Sequence, residues 1–331
     1  MTDDWRLFRG DGVPHPVEHW PDAPPWRTFG RTGDEDARPL RYVMADEDRD
    51  TVNAALHLHR PLLVTGRPGT GKSTLARAVA QELGLGEVLH WPVNSRTTLT
   101  DGLYRYDAVG RLRDASLARR DEHAPGREPG IGDYLRLGPL GTALLPAARP
   151  RVLLIDELDK GDVDLPNDLL TVFEEGTFEI PELARLGRGE VTVRTADEAP
   201  PQGEAGGAAD PAGSVVVVDG RVTCQVFPVI VITSNGERDF PPAFLRRCVR
   251  LHLRPPGEQQ LRQIVRMRLG DGVDDRASDL ITRFLQLRDG QEHDLATDQL
   301  LNAVHLRISG IDIAFDSLRD SVLRSLVESD L

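Results

Sequence analysis

The chain has 331 residues, 39% of them hydrophobic, enough to bury at least one large core and to make up two domains. Its formal net charge of −13 repels a nucleic-acid backbone, and no apolar stretch reaches the roughly 20 residues that span a bilayer. The opening MTDDWRLFRG has no apolar core of an export signal, and Cys224 and Cys248 lack a histidine cluster at metal-ligand spacing, so reduced thiols in a cytoplasmic protein are expected.

Residues 1–39 hold six of the prolines and Trp5, Trp20 and Trp26, with neither helical nor strand period. They read as an extended arm, either a floppy terminus or a segment whose aromatics dock on the body or on a neighbouring subunit. From Ala45 to His59, the spacing of Val52, Ala55, Leu56 and Leu58 predicts a helix with Asp46 near its start as a cap. Short β-rich runs follow at 61–65, 88–93, 152–155, 228–233 and 249–253, several apolar throughout, as in parallel strands covered by helices on both faces. Between the third and fourth, DLLTVFEEG predicts a helix that ends at Gly176. Residues 119–133 are charged and loop-like, and 196–214 are too rich in Ala, Gly and Pro to pack. The β-like pieces VTVRT, SVVVVDG and RVTCQVF make 183–226 a hairpin insertion that carries this second loop. A boundary is expected near Pro255 and Pro256, with a helix-rich tail running on to Leu331.

Chemistry gathers at the ends of the apolar runs. PLLV leads into GRPGTGKS and then into the helix-patterned TLARAVAQEL. A strand, a glycine-rich turn and a helix in that order let the backbone of Gly66, Arg67, Pro68, Gly69, Thr70, Gly71, Lys72, Ser73 and Thr74 wrap phosphate oxygens at the positive end of a helix dipole. Lys72 adds a point charge for the outer phosphates and Ser73 a hydroxyl for a magnesium ion; the competing reading is a glycine turn with a solvated lysine. VLLIDELDK places Asp156 and Glu157 at a strand end. There Asp156 can hold magnesium through its water shell and Glu157 can polarise an attacking water, unless the pair is a plain acidic turn. PVIVITSN ends on Asn235, a neutral amide able to bond the γ-phosphate or that water, although asparagine also forms turns. In GERDFPPAFLRRCVRL, Arg246 and Arg247 close a short helix, where a cation suits the dipole or a salt bridge. The alternative role is an arginine finger that neutralises charge on the transferred phosphoryl group.

Taken in this order, over roughly residues 40–331, these features resemble the AAA+ ATPases. The stretches GPLGTALLPAARPRVLLIDELDKGDVDLPNDLLTVFEEGTFEIP and ITSNGERDFPPAFLRRC are similar to the MoxR branch, which stands close to the dynein-related AAA proteins. The resemblance implies an α/β fold: a P-loop NTPase parallel sheet flanked by helices over 40–256, followed by a small all-helical lid domain over 257–331. It implies ATP and Mg2+ as ligands. It also implies a ring subunit, usually of a hexamer, that couples ATP hydrolysis to remodelling or activating a partner protein, often one with a von Willebrand factor A domain. Position by position, Lys72 and Ser73 match the Walker A lysine and hydroxyl, Asp156 and Glu157 the Walker B pair, and Asn235 sensor 1. Arg247 matches the finger, with Arg246 in reserve, and Cys248 is left as a packing residue. The chain departs from the pattern at sensor 2, where DLATDQLLNAVHLR offers only Thr297, Asp298 and Gln299, so that residue is absent or displaced to Arg307. That departure leaves slow hydrolysis open, and with it the alternative of a nucleotide-gated scaffold or switch in a defence or signalling assembly. WPVNSRTTLTDGLYRYDAVGRL resembles the region where this branch carries substrate-facing insertions; Tyr104 and Tyr106 either line a pore or sit half-buried in a surface turn. A small-molecule phosphotransferase lacks an evident acceptor pocket, and the sequence holds no N-K-x-D guanine motif.

Overall fold

A computed structural model describes residues 7, 21–27, 42–118, 130–187, 189–197, 213–289 and 295–311. These fall into two units, one drawn from Met44–Arg67 and Gly71–Leu253, the other from Met1–Val43, Pro68–Thr70 and Arg254–Leu331.

The first unit opens on α1 (Asp46–Leu58), which buries Val52 and Ala55. Asp46 is its first residue and not its cap. Ala45 holds the cap position without a side-chain bond, and Asp46, Glu47 and Asp48 favour the first turn through the helix dipole instead. Next come β1 (Leu62–Thr65), α2 (Lys72–Glu82), β2 (Leu89–Pro92), α3 (Leu99–Leu103), β3 (Tyr104–Tyr106) and α4 (Ala108–Ala118). Thr98 and Asp101 form a reciprocal capping box that starts α3. The chain resumes with β4 (Leu135–Leu137), α5 (Pro139–Ala143), β5 (Val152–Asp156), α6 (Leu165–Glu175), β6 (Thr177–Glu179) and α7 (Pro181–Ala184). As expected, α6 stops at Gly176, whose φ of 60° is the left-handed terminator that a side chain resists. The unit closes with β7 (Glu190–Arg194), β8 (Ser214–Val218), β9 (Arg221–Thr223), β10 (Val229–Ser234), α8 (Pro242–Leu245) and β11 (Val249–His252).

The five β-rich runs read from the sequence are β1, β2, β5, β10 and β11, and they form one parallel sheet in the order β11-β1-β10-β5-β2. Their continuous apolar character follows from burial on both faces: Leu62, Leu63 and Val64 of β1 and Val152 to Ile155 of β5 are all at most 3% exposed. Trp91 on β2 is 4% exposed, and its ring lies where a Cβ on Gly102 would come within 2.4 Å, so only glycine fits there. Cys248 packs into the same core, with burial pushing its thiol up to about 12, as suits a packing residue and not a nucleophile.

A second sheet, ordered β3-β4-β7-β8-β9-β6, corrects two expectations. Over 183–226, the β7–β8 hairpin exists, but it is the middle of this larger sheet, and Asp219-Gly220, both at positive φ, turns β8 into β9. Tyr104 and Tyr106 lie on a strand and not in a surface turn, because β3 pairs antiparallel with β4. Tyr104 is 9% exposed and its hydroxyl is pushed up to about 12 by burial and by Glu182, so it faces the core and lines no pore; Tyr106 is half-buried and accepts a hydrogen bond from Arg111 Nη1 at 3.0 Å. Residues 119–129 and 198–212 of the two loop-like segments lie outside the described residues, as do Trp5, Trp20 and 312–331 of the tail.

The second unit packs α9 (Glu258–Leu269), α10 (Val273–Arg276), α11 (Ser278–Asp289) and α12 (Thr297–Ile308) around Leu261, Val265, Ile281, Phe284, Leu300 and Val304. Of the arm, Trp26 docks on this core: its Nε1 donates to Asn302 Oδ1 at 3.1 Å and its ring meets His305 edge-on at 5.9 Å.

Candidate active site

Because the five strands of the first sheet are parallel, β1, β5 and β10 finish side by side, and the polar residues after their last apolar positions meet at one carboxyl edge. Beyond Thr65 the chain turns through Gly66, Arg67, Pro68, Gly69, Thr70 and Gly71 before α2 begins at Lys72 and continues through Ser73 and Thr74. Gly66, Gly69 and Gly71 take φ of 152°, 74° and 88°, and Gly71 is the left-handed cap of α2. Such a backbone is open only to glycine without strain, and it leaves N–H groups at the helix start without helical partners.

Lys72 is 7% exposed. Its Nζ donates to Gly66 O at 2.8 Å, Arg67 O at 3.0 Å and Asn235 Oδ1 at 2.8 Å, so an ammonium is held inside the turn by carbonyl oxygens. Burial lowers its pKa, opposed by the charges of Asp159, Asp156 and Glu157. Ser73 Oγ donates to Asp156 Oδ1 at 2.7 Å, Thr233 Oγ1 donates to the same oxygen at 2.6 Å, and His90 Nε2 lies 3.2 Å from Asp156 Oδ2. Burial pushes the Asp156 carboxyl up, but hydrogen bonds from His90, Thr233 and Ser73 outweigh it and bring the group down to about 2. A carboxyl depressed below its ordinary 3.8 lends stability that is complete above that value and lost as pH falls towards about 2. The Asp156 carboxyl carbon is therefore expected to titrate in NMR with a midpoint near 2. Thr233→Val should raise that midpoint, and a wild-type midpoint at 3.8 or above would contradict the hydrogen-bonded geometry.

Glu157 follows with φ 59° and ψ 48°, a left-handed conformation rare for a side-chain-bearing residue, and its N–H donates to Thr233 Oγ1 at 2.8 Å. One hydroxyl thus ties together both acidic residues. The Glu157 carboxylate is 42% exposed, accepts from Lys160 Nζ at 2.9 Å and lies 3.4 Å from Asn235 Nδ2. Asn235, just past β10, is consequently a bridge: its carbonyl oxygen meets Lys72 and its amide nitrogen meets Glu157. The structure brings Lys72, Ser73, Asp156, Glu157 and Asn235 together through direct contacts.

Arg246 and Arg247 stand apart from this cluster, after α8. Arg247 Nε pairs with Glu174 at the end of α6, and Nη1 reaches Ala243 O at 3.2 Å. Arg246 is exposed and joins no ion pair among the described residues. Sequence reasoning missed Thr233, His90, Asp159 and Lys160. Thr233 carries a signal, since residues two apart along an extended chain share a face and Asn235 is itself a site candidate. His90 had none, because its proximity to Asp156 depends on the β2–β5 register, which sets Pro92 beside Asp156.

A model of the AAA domain, dynein-related subfamily, matches residues 61–248. Two curated proteins of Mycobacterium tuberculosis, named Hydrolase MT0498 and Hydrolase Rv0480c, are each 25% identical over 176 residues, which is 52% of this chain and 62% of theirs. The chain thus spans less than two thirds of the length of the curated relatives it matches.

Proposed function

This chain belongs to the dynein-related subfamily of AAA domains, within the AAA+ ATPases, and from that premise we propose that it binds ATP with magnesium and hydrolyses it as a MoxR-like ring subunit. The observation that carries the reading is the Asn235 bridge, which joins the buried ammonium of Lys72 to the carboxylate of Glu157 at the strand ends. The residues fit a magnesium triphosphate. Gly66 and Gly71 supply the positive-φ backbone such a loop needs, Lys72 is an ammonium held in place, and the Ser73 hydroxyl already meets a carboxylate that stays ionised at neutral pH. Ser73 and Asp156 would hold the magnesium ion, which supplies charge neutralisation along the phosphates.

In this reading Lys72 exchanges its backbone carbonyl partners for the outer phosphate oxygens, and Asn235 orients the water. Glu157 takes that water's proton as its oxygen bonds to the terminal phosphorus and the bond to the departing diphosphate breaks. Arg247 reaches the phosphates of a neighbouring copy, in a ring of six. The output is the remodelling or activation of a partner protein, with a von Willebrand factor A domain protein as the proposed client, in the cytoplasm. Binding of a fluorescent ATP analogue, steady-state phosphate release and sedimentation with and without nucleotide test the reading together. A purified chain with no affinity for magnesium ATP would refute it.

A second reading, a nucleotide-gated switch with slow turnover, is favoured by one observation. Helix α12 opens on Thr297, Asp298 and Gln299 without a basic residue, and Arg307, the displaced candidate, is paired with Asp279 at 2.6 Å. Assembly on ATP with negligible phosphate release selects the switch; assembly with steady release selects the motor.

A further inference from the structure

Asp159 contributes nothing to the proposed chemistry directly, yet it is 3% exposed in a unit where few charges are buried. Its Oδ2 accepts from two backbone N–H groups, Asn235 at 2.9 Å and Glu237 at 3.0 Å, while Oδ1 is buried with no hydrogen-bond partner among the described residues. A carboxylate taken from water at that cost needs a compensating role. Elsewhere in the turn, Gly236 stands at φ 81° with its N–H donating to the Ser234 hydroxyl at 3.0 Å, and Arg238 Nη1 donates to Gly161 O at 2.9 Å. The Asn235 side chain, whose two ends meet Lys72 and Glu157, is carried on that turn.

We propose that Asp159 is a positioning residue: by gathering the amides of Asn235 and Glu237 onto one oxygen, it sets the Asn235 side chain at the height where it can span Lys72 and Glu157. Asp159 touches neither phosphate nor water in this scheme; it acts through Asn235, and the support its charge lends the Lys72 ammonium is the contribution that Asp159→Asn isolates. The catalytic consequence rests on the proposed ATPase function, whereas the structural consequence stands without it.

The two amides share a single oxygen, which separates hydrogen bonding from charge. Asp159→Asn keeps an acceptor oxygen for both N–H groups and removes the charge; Asp159→Leu keeps the approximate volume and removes the acceptor. Hydrogen exchange on the nucleotide-free protein is the first readout. The Asn235 and Glu237 amides are expected to be protected in the wild type and in Asp159→Asn, and to lose protection in Asp159→Leu without a general loss elsewhere in the sheet. The second readout is kinetic. Asp159→Leu should lower kcat about 10- to 100-fold with nucleotide affinity changed by less than about threefold, Asp159→Asn should stay near wild type, and Asp159→Leu combined with Asn235→Ala should be no slower than Asn235→Ala alone.

Unprotected amides in the wild type overturn the proposal, as does an Asp159→Asn variant whose turnover falls below wild type by about 10-fold or more, since charge and not positioning would then be at work. Both of these tests hold even if Asp159→Leu does not fold. Additive losses in the double variant also count against it. If the wild type neither binds nor hydrolyses ATP while the exchange pattern is as expected, the ATPase reading falls and the anchoring of the turn survives.

Discussion

Glu157→Gln is expected to lower phosphate release by about 10²- to 10⁴-fold, the range for removal of a general base, with nucleotide affinity held within about threefold. The argument is geometric. Glu157 lies at the sheet edge beside Lys72 and Asn235, yet its carboxylate is partly open to solvent, so a water can reach it. Glutamine keeps the length and a polar tip and loses the negative charge, both as a proton acceptor and as the partner of Lys160. Its backbone bond to Thr233 does not involve the side chain and should persist, leaving Asp156 and Ser73 undisturbed. Single-turnover phosphate release measured beside equilibrium nucleotide binding checks this, and unchanged turnover would remove Glu157 from the mechanism. The variant should also accumulate in its ATP-bound form, which makes it the appropriate bait for the proposed client protein.

Arg247→Ala should cost about 10³- to 10⁵-fold in hydrolysis, the scale on which arginine fingers act. Within one chain Arg247 is engaged by Glu174, the salt bridge that the sequence reading set beside the finger. The pair is exposed enough that its contribution to stability is small, so transfer of the guanidinium to a neighbouring copy's phosphates demands little. Mixing Arg247→Ala with Lys72→Ala subunits distinguishes the two roles. Some interfaces in the mixture then combine an intact lysine with an intact arginine from the next copy, and activity should reappear there. Mixed assemblies that form fully and stay inactive would assign Arg247 to the structural pair, and Arg246 would be the next residue to replace.

The core was legible in the sequence because its signals are local. Unbroken apolar runs such as VLLI belong to strands covered on both faces, and GRPGTGKS needs its own glycines whatever surrounds it. The order of polar strand ends likewise placed Lys72, Ser73, Asp156, Glu157 and Asn235 at one edge. What escaped was what depends on pairing between distant segments. The second sheet joins β3 and β4 with β7 to β9 and β6, across separations that no window spans, so Tyr104 looked like a turn residue although it is buried. Asp159 passed unnoticed for a related reason. In DELDK it reads as one more solvated acid, and only the return of β10 beside β5 brings the amides of Asn235 and Glu237 onto it. Lys160 was hidden by backbone conformation: the left-handed φ of Glu157 starts the tight turn that folds the lysine back onto the glutamate carboxylate.

Trp26 is seated on α12 and Trp91 is enclosed beneath the parallel sheet, so each unit carries its own described indole in a different setting. One is half-covered, hydrogen-bonded and edge-on to an imidazole; the other is dry. Their emission should therefore differ in colour and in access to quenchers, and single-tryptophan variants would give two separate optical reporters. Melting of the helical part and melting of the sheet could then be followed independently, each in its own variant, with no label attached.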